Sequence, residues 1–292
     1  MEWTNLFEQF EEDFKQLEIY DSSNILLVDK TIPLLKKVFN CIDLTSLNTT
    51  DCSNSIEVFS EKVVDFPINF PDMPNVAAVC VYPVFASVLD VKLKGLSVNR
   101  AVVSACFPSS QTFLDTKVEE TKRAVFFGAN EVDIVISVGE FLEGNYEFVS
   151  NEISTIKEQI GDAHLKVILE TGALKDVDQI WKASILAMDA GADFIKTSTG
   201  KMSPAATPEA AWVMTHAIKA YANKKSKKVG FKPAGGISSV DDALLYWSIQ
   251  QQVLGQEWLN NNYFRIGASR LANNLLTEIE SIKGNNRDVS YF

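Results

Sequence analysis

DFIKTST at residues 193–199 and VGFKPAGG at 229–236 carry the pattern that decides the fold. Each is a short, apolar, β-rich run closed by polar residues or glycine. Lys196 and Lys232 stand 36 residues apart, the length of one strand, one loop and one helix. The pattern recurs in VFNCIDLT (38–45), NVAAVCVYP (75–83), AVVSACFP (101–108), EVDIVIS (131–137), LKVILET (165–171) and YFRIGAS (263–269). Seven intervals between 38 and 263 give a mean repeat of about 32 residues. Helical stretches such as TFLDTKVEETKRAVFFG and WKASILAMDAG lie between, several ending in the glycine that stops a helix. The runs read as apolar on both faces, as a parallel sheet covered by helices requires. Eight βα units predict an α/β chain closed as a (β/α)8 TIM barrel. A doubly wound open sheet would carry a phosphate loop after its first strand, and neither GxGxxG nor GxxxxGK[ST] occurs.

The chain has 292 residues, enough for a single domain that buries about three quarters of its unfolded surface without metal or disulfide staples. Leu6, Phe7, Phe10, Phe14 and Leu17 form an amphipathic stripe over residues 5–20, which predicts an additional N-terminal helix within a cap spanning 1–30. Residues 284–292 read as a flexible tail. The balance of 27 Lys+Arg against 38 Asp+Glu, net −11, argues against nucleic acid or an anionic membrane as partner. The four cysteines, at 41, 52, 80 and 106, form no CxxC pair, so a reducing, cytoplasmic setting is expected. Residues 1–20 lack the basic start and apolar stretch of a signal peptide, and no later run is long and apolar enough to span a bilayer. Two histidines and no HExxH disfavour chemistry resting on a His-rich metal, and no cofactor is expected.

In a barrel of this kind chemistry sits at the carboxyl ends of the strands, so ionisable residues inside or just after the apolar runs are the candidates. Asp43, Asp133, Glu170, Lys196 and Lys232 qualify. Parallel neighbours would bring Lys196 and Lys232 side by side. Desolvation and like charge would then favour a free amine, the species that attacks a carbonyl to form a Schiff base. The alternative is a structural pair of lysines bonded to Glu170 and Asp133. Asp133, between Val132 and Ile134, reads as an acid/base, as the orienter of a lysine, or as a salt-bridged barrel carboxylate. Cys80 lacks a nearby histidine and reads as a small lining residue rather than a nucleophile. Gly235 and Gly236 after the seventh run, and Gly267-Ala268-Ser269 after the eighth, stand where such barrels hold a phosphate on backbone N–H groups, with Gly200 and Lys201 in reach. Outside enzymes, a sugar-phosphate-binding barrel without catalysis is the competing class.

On these residues the sequence resembles the deoxyribose-phosphate aldolases, a class I aldolase family. The resemblance runs from about Asp43 to Arg270 through DLTSLN, AAVCVYP, VSACFPS, ANEVDIVISVGEFLEGNY, ILETGAL, GADFIKTSTGK, GFKPAGGI and FRIGAS. It implies metal-free cleavage of 2-deoxyribose 5-phosphate to glyceraldehyde 3-phosphate and acetaldehyde, and the reverse addition; an imine-forming aldolase for another sugar phosphate is the nearest rival, and assembly as a homodimer is left open by the sequence. By motif, it makes Lys196 the Schiff-base lysine, Lys232 the lysine that lowers its pKa, and Asp133 the proton-relay carboxylate. Thr45 and Cys80 would line the pocket near the substrate hydroxyls, with Asp43 supporting the relay. Thr199, Gly200, Lys201, Gly235, Gly236, Gly267 and Ser269 would bind the substrate, chiefly its phosphate. Tyr291 would assist proton transfer at the enamine carbon. Two positions depart from the family pattern: Ser238 stands where many members have Arg, and Arg270 where Ser or Thr is common. The expected compensation is that Arg270 supplies the missing cation.

Overall fold

The computed structural model describes residues 2–174, 176–285 and 287–292. The eight strands are β1 (Ile42–Thr45), β2 (Ala78–Val81), β3 (Asn99–Val103), β4 (Glu131–Val135), β5 (His164–Ile168), β6 (Phe194–Lys196), β7 (Gly230–Lys232) and β8 (Ile266–Ala268). All ladders are parallel, in the order β7-β6-β5-β4-β3-β2-β1-β8. The remaining seam closes through Phe231 N–H donating to Tyr263 O at 2.9 Å, Arg265 N–H to Phe231 O at 3.1 Å and Gly267 N–H to Pro233 O at 3.0 Å. The chain is a (β/α)8 barrel.

Among the described residues twelve α-helices surround it: α1 (Glu2–Gln9), α2 (Glu11–Lys15), α3 (Ile32–Phe39), α4 (Ser53–Asn69), α5 (Ala86–Lys92), α6 (Leu114–Phe126), α7 (Val138–Leu142), α8 (Tyr146–Ile160), α9 (Val177–Asp189), α10 (Pro208–Lys225), α11 (Val240–Leu254) and α12 (Leu271–Ile282). Their starts follow from local chemistry. Thr207 Oγ1 accepts from Ala210 N–H at 3.1 Å with Pro208 at the first helical position, and Ser239 Oγ accepts from Asp242 N–H at 3.0 Å.

Strand side chains alternate between the two faces of the barrel wall. Leu44, Val79, Val102, Ile134, Val167, Ile195 and Phe231 are fully buried in the core between strands and helices. The inward set differs from the expectation of apolar strands on both faces: small residues (Ala78, Cys80, Ala101) line one side, and buried ionisable residues fill the other. Pairing among those charges satisfies them, so a parallel barrel tolerates a polar interior that an unpaired arrangement would not.

The N-terminal segment differs from the single helix expected over 5–20. It is two short helices broken at Phe10, which is itself buried and lies 6.0 Å from Tyr221 ring to ring, while Phe14 meets Trp181 at 5.5 Å. The chain is thereby laid across α9 and α10.

The C-terminal segment differs from the flexible tail that the sequence predicts over 284–292; Asn286 lies outside the described residues. Beyond it, the chain returns along α12. Val289 N–H donates to Thr277 Oγ1, and Tyr291 and Phe292 N–H both donate to Asn273 Oδ1, each at 2.9 Å. The Tyr291 and Phe292 rings pack against Phe66 at 5.7 and 5.4 Å, on the outer side of the wall between α4 and α12. Deleting residues 288–292 is expected to destabilise the fold by about 2 kcal/mol and to lower Tm by roughly 3 °C or more, read by calorimetry against the full chain.

Candidate active site

The candidate site is built from side chains that the strand alternation turns inward. In the β-ladder Lys196 is the direct partner of Lys232, and Asp133 of Lys166. Lys196 Nζ donates to Asp133 Oδ2 at 2.8 Å, and Lys232 Nζ to the same oxygen at 2.8 Å. Lys232 also meets Asp43 Oδ2 at 2.5 Å. Lys166 lies 2.5 Å from Glu131, 3.1 Å from Asp133 and 3.4 Å from Asp43. Arg265 closes the cluster with Nη1 at 2.6 Å from Asp43 and Nη2 at 2.8 Å from Glu131.

Four cations thus face three carboxylates, all buried, and full ionisation would leave one uncompensated positive charge out of water. Such a charge is costly, and loss of one proton removes it. Lys166 has three carboxylate partners, Lys232 and Arg265 two each, and Lys196 a single one shared with Lys232. Lys196 is therefore the group that yields. Burial, together with the Lys232 charge, outweighs Asp133 and lowers its pKa. For Lys232, Lys166 and Arg265 burial pulls the other way but the surrounding carboxylates win, and their pKa values rise. Burial alone would raise Asp43 and Asp133; their cationic neighbours hold both well below the usual carboxylate range. Burial, with Asp133 nearby, pushes the Cys80 thiol up to about 11, so it stays protonated.

Lys196 is also the cluster lysine that reaches the open space above, being 4% exposed where Lys166 and Lys232 are at 0%. It forms part of the floor of a cavity of about 250 Å³. Thr45, Thr199, Gly200, Lys201, Gly235, Gly236, Gly267, Ser269 and Arg270 line the same cavity, so ten of the residues singled out in the sequence converge there. Asp43, Asp133, Lys232 and Cys80 are buried in the barrel and do not line it.

Several contacts shape the rim. Thr197 Oγ1 accepts from Ala234 N–H at 3.0 Å and donates to Ala234 O at 3.2 Å, tying the ends of β6 and β7 together. Gly267 is required because a Cβ there would sit 2.9 Å from Ala234 Cβ and 3.3 Å from Lys232 Cε, in the path of the lysine. Gly235 has φ +88°, and its Cβ would meet Ala205 Cβ at 2.7 Å. Lys201 Nζ donates to Leu47 O at 2.6 Å, bridging two rim loops. The Arg270 guanidinium has no protein partner among the described residues.

Two expectations are corrected. Among the described residues Glu170 has no lysine partner: its carboxylate accepts from Thr199 N–H at 3.2 Å and Thr199 Oγ1 at 2.5 Å, fixing the loop after β6. Tyr291 is not brought to the cavity. Its hydroxyl donates to Lys62 O at 2.7 Å and accepts from Asn69 Nδ2 at 3.2 Å, because the ring fills the gap between α4 and α12. Sequence reasoning passed over Lys166, Glu131 and Arg265. The signal was there in Leu165-Lys166-Val167 and Phe264-Arg265-Ile266, an ionisable residue inside an apolar run.

A lysine at a cavity floor whose amine loses its proton more readily than usual, backed by a carboxylate and an ammonium, is suited to add to a carbonyl and move protons around the adduct. Residues 40–267 match the profile described as DeoC/LacD family aldolase. The chain belongs to this family. Among relatives of this DeoC/LacD chain, the deoxyribose-phosphate aldolase of Homo sapiens is 43% identical over 256 residues, covering 84% of this chain and 80% of the relative. That of Bos taurus is 43% identical over 248 residues, with 81% and 78% covered. A solved structure from Coccidioides immitis superposes with TM-score 0.76 at 27% identity, covering 94% of this chain and 97% of that one. The tetrameric deoxyribose phosphate aldolase of Aeropyrum pernix shares the fold, with TM-score 0.65 at 23% identity over 86% and 98% of the two chains.

The charge count makes a prediction for this aldolase-family site. Lys232→Leu leaves three cations to balance three carboxylates when Lys196 is protonated, so the Lys196 pKa should rise. The pH at which a lysine-directed reagent half-maximally modifies Lys196, mapped by peptide mass, is expected to move upward by about one unit or more.

Proposed function

We propose that the protein cleaves 2-deoxy-D-ribose 5-phosphate to D-glyceraldehyde 3-phosphate and acetaldehyde, and runs the reverse addition, through a Schiff base on Lys196. The observation that carries this reading is the one lysine among the described residues whose pKa is lowered, on the floor of the cavity and 2.8 Å from Asp133. The neutral amine adds to the C1 aldehyde of the open-chain sugar. Asp133 and Lys232 pass protons to the carbinolamine oxygen, water leaves, and the iminium takes up the positive charge beside Asp133. The Asp133 carboxylate, through the water just released, takes the C3 hydroxyl proton; C3 becomes an aldehyde as the C2–C3 bond breaks, and the electron pair of that bond passes into the iminium to give an enamine. Protonation of the enamine carbon and hydrolysis release acetaldehyde and return the free lysine.

The phosphate is assigned to the rim opposite Lys196, on the backbone N–H groups of Gly235, Gly236 and Ser269, with Gly267, whose own N–H is taken by Pro233 O, leaving room beside them. Lys201 and the unpartnered Arg270 supply cations. Thr45 and Thr199 in the cavity, with Gly200 between the loops, suit the sugar chain, and Cys80 and Asp43 support from beneath. The substrate is a free small molecule in the cytosol, and a homodimer is the expected assembly. Among the described residues no helix is long and apolar enough to cross a membrane.

Incubation with acetaldehyde and cyanoborohydride, followed by peptide mass mapping, should place one adduct on Lys196. Lys196→Ala is expected to abolish trapping and lower turnover by on the order of 10⁴-fold or more; an adduct on Lys201 or Lys232 overturns the assignment.

Arg270→Ser is expected to raise KM for deoxyribose 5-phosphate by roughly 10-fold or more and to leave unphosphorylated deoxyribose unaffected, because a charge-assisted contact to the dianion acts only when the dianion is present. An equal loss of kcat/KM for both sugars would remove Arg270 from the phosphate site.

A further inference from the structure

We propose that the buried Glu131–Arg265 pair, which touches neither Lys196 nor the cavity, determines which lysine of the cluster gives up its proton, making both positioning residues. The proposal rests on the reading of Lys196 as the Schiff-base lysine.

The pair joins the site by two arms that meet at Asp133. On one, Arg265 holds Glu131 at 2.8 Å, Glu131 holds Lys166 at 2.5 Å, and Lys166 reaches Asp133 at 3.1 Å. On the other, Arg265 holds Asp43 at 2.6 Å, Asp43 holds Lys232 at 2.5 Å, and Lys232 reaches Asp133 at 2.8 Å. Arg265 is itself pinned: Nε donates to Asn261 O, and the guanidinium lies 5.6 Å from the Phe194 ring centroid. The pair carries no net charge, yet Glu131 adds to Asp133 in favouring the ammonium of Lys166, and Arg265 adds to Lys232 and Lys166 in favouring the carboxylate of Asp43, which in turn adds to Asp133 in favouring the ammonium of Lys232. The surplus proton is then missing from the remaining lysine.

The buried charged groups around Lys196 belong to this count, and the neutral Cys80 thiol stands beside them. Asp133 acts on it from β4, Lys232 from β7 and Cys80 from β2, while Asp43 on β1, Glu131 on β4, Lys166 on β5 and Arg265 just before β8 reach it only through those neighbours. Above it, Lys201 and Arg270 stand at the cavity rim and Glu170 is engaged by Thr199. His164, half-exposed at the far end of β5, lies 4.0 Å from Glu131 and adds to its surroundings rather than to those of Lys196.

The two members act with opposite sign. Glu131→Gln removes a negative charge, makes the ammonium form of Lys196 less favourable and lowers its pKa. Arg265→Met removes a positive charge and raises it. The experiment is the pH profile of acetaldehyde–cyanoborohydride adduct formation on Lys196, mapped by peptide mass in the full chain. The acid limb is expected to move to lower pH in Glu131→Gln and to higher pH in Arg265→Met. Each shift should be about one unit, a roughly tenfold change in adduct at a fixed pH on the limb. In the double variant, whose net charge equals that of the native cluster, the limb should return to within about half a unit of its original position.

Where a single variant does not fold, its conservative form replaces it. Glu131→Asp draws the carboxylate back by one methylene, and Arg265→Lys reduces two contacts to one, with the same signs at smaller size. Limbs that stay put, or move in the same direction in both members, overturn the proposal. An adduct on another lysine in the native protein overturns the underlying reading instead, so the two failures are distinguishable.

Discussion

Everything in this molecule's polar interior depends on one constraint: a buried cluster must come close to electrical neutrality. Three carboxylates, Asp43, Glu131 and Asp133, share the inside of the barrel with Lys166, Lys196, Lys232 and Arg265. In a low-dielectric interior the surplus of one cation is relieved by releasing a proton rather than by tolerating the charge. The lysine with the fewest carboxylate contacts is the one whose pKa is lowered, and that same lysine is the one at the cavity. Acidity and access are thus set by one arrangement.

The barrel supplies what such a cluster needs. Parallel strands in register put side chains from neighbouring strands a few ångströms apart, and the outward alternates are buried in the apolar shell that keeps the wall rigid. A buried ion network fixed this way contributes little to stability relative to an apolar core of equal volume, and breaking it on one side is expensive. Its retention in a site is consistent with chemistry rather than with folding. The rim is organised separately: Thr197 ties β6 to β7, Glu170 holds Thr199, and glycines admit the close approach of strand ends and the Lys232 stem. Proton chemistry below and anion recognition above are therefore adjacent but built from different elements.

The barrel and much of its site were legible in the chain. A repeat of about 32 residues between apolar runs is a consequence of strand, loop and helix length, so it survives as pattern. Ionisable residues interrupting such runs stand out because an interior rarely accepts them, which exposed Asp43, Asp133, Lys196 and Lys232. The same rule extends to Lys166 and Arg265, whose significance rests on neighbours from strands far away in sequence. The cavity-lining glycines and Arg270 were readable from their positions just after the strand ends.

What the amino-acid order determined by itself was the sequence of elements, the parallel class of the sheet and the set of residues forced inward, since these follow from local periodicity and burial. Only the tertiary structure decided how the charges divide. Lys196 and Lys232 look alike in sequence, each ending an apolar run, yet Asp43 lies 2.5 Å from one and is no partner of the other, so their pKa values move in opposite directions. Tyr291 shows the same limit at the C-terminus: a terminal aromatic is attractive as a proton donor, but the gap between α4 and α12 offers it apolar contact and the Lys62 carbonyl, and packing claims it there. Long-range electrostatics and the competition for apolar surface depend on distances between residues far apart in the chain, and those distances exist only once the barrel has closed.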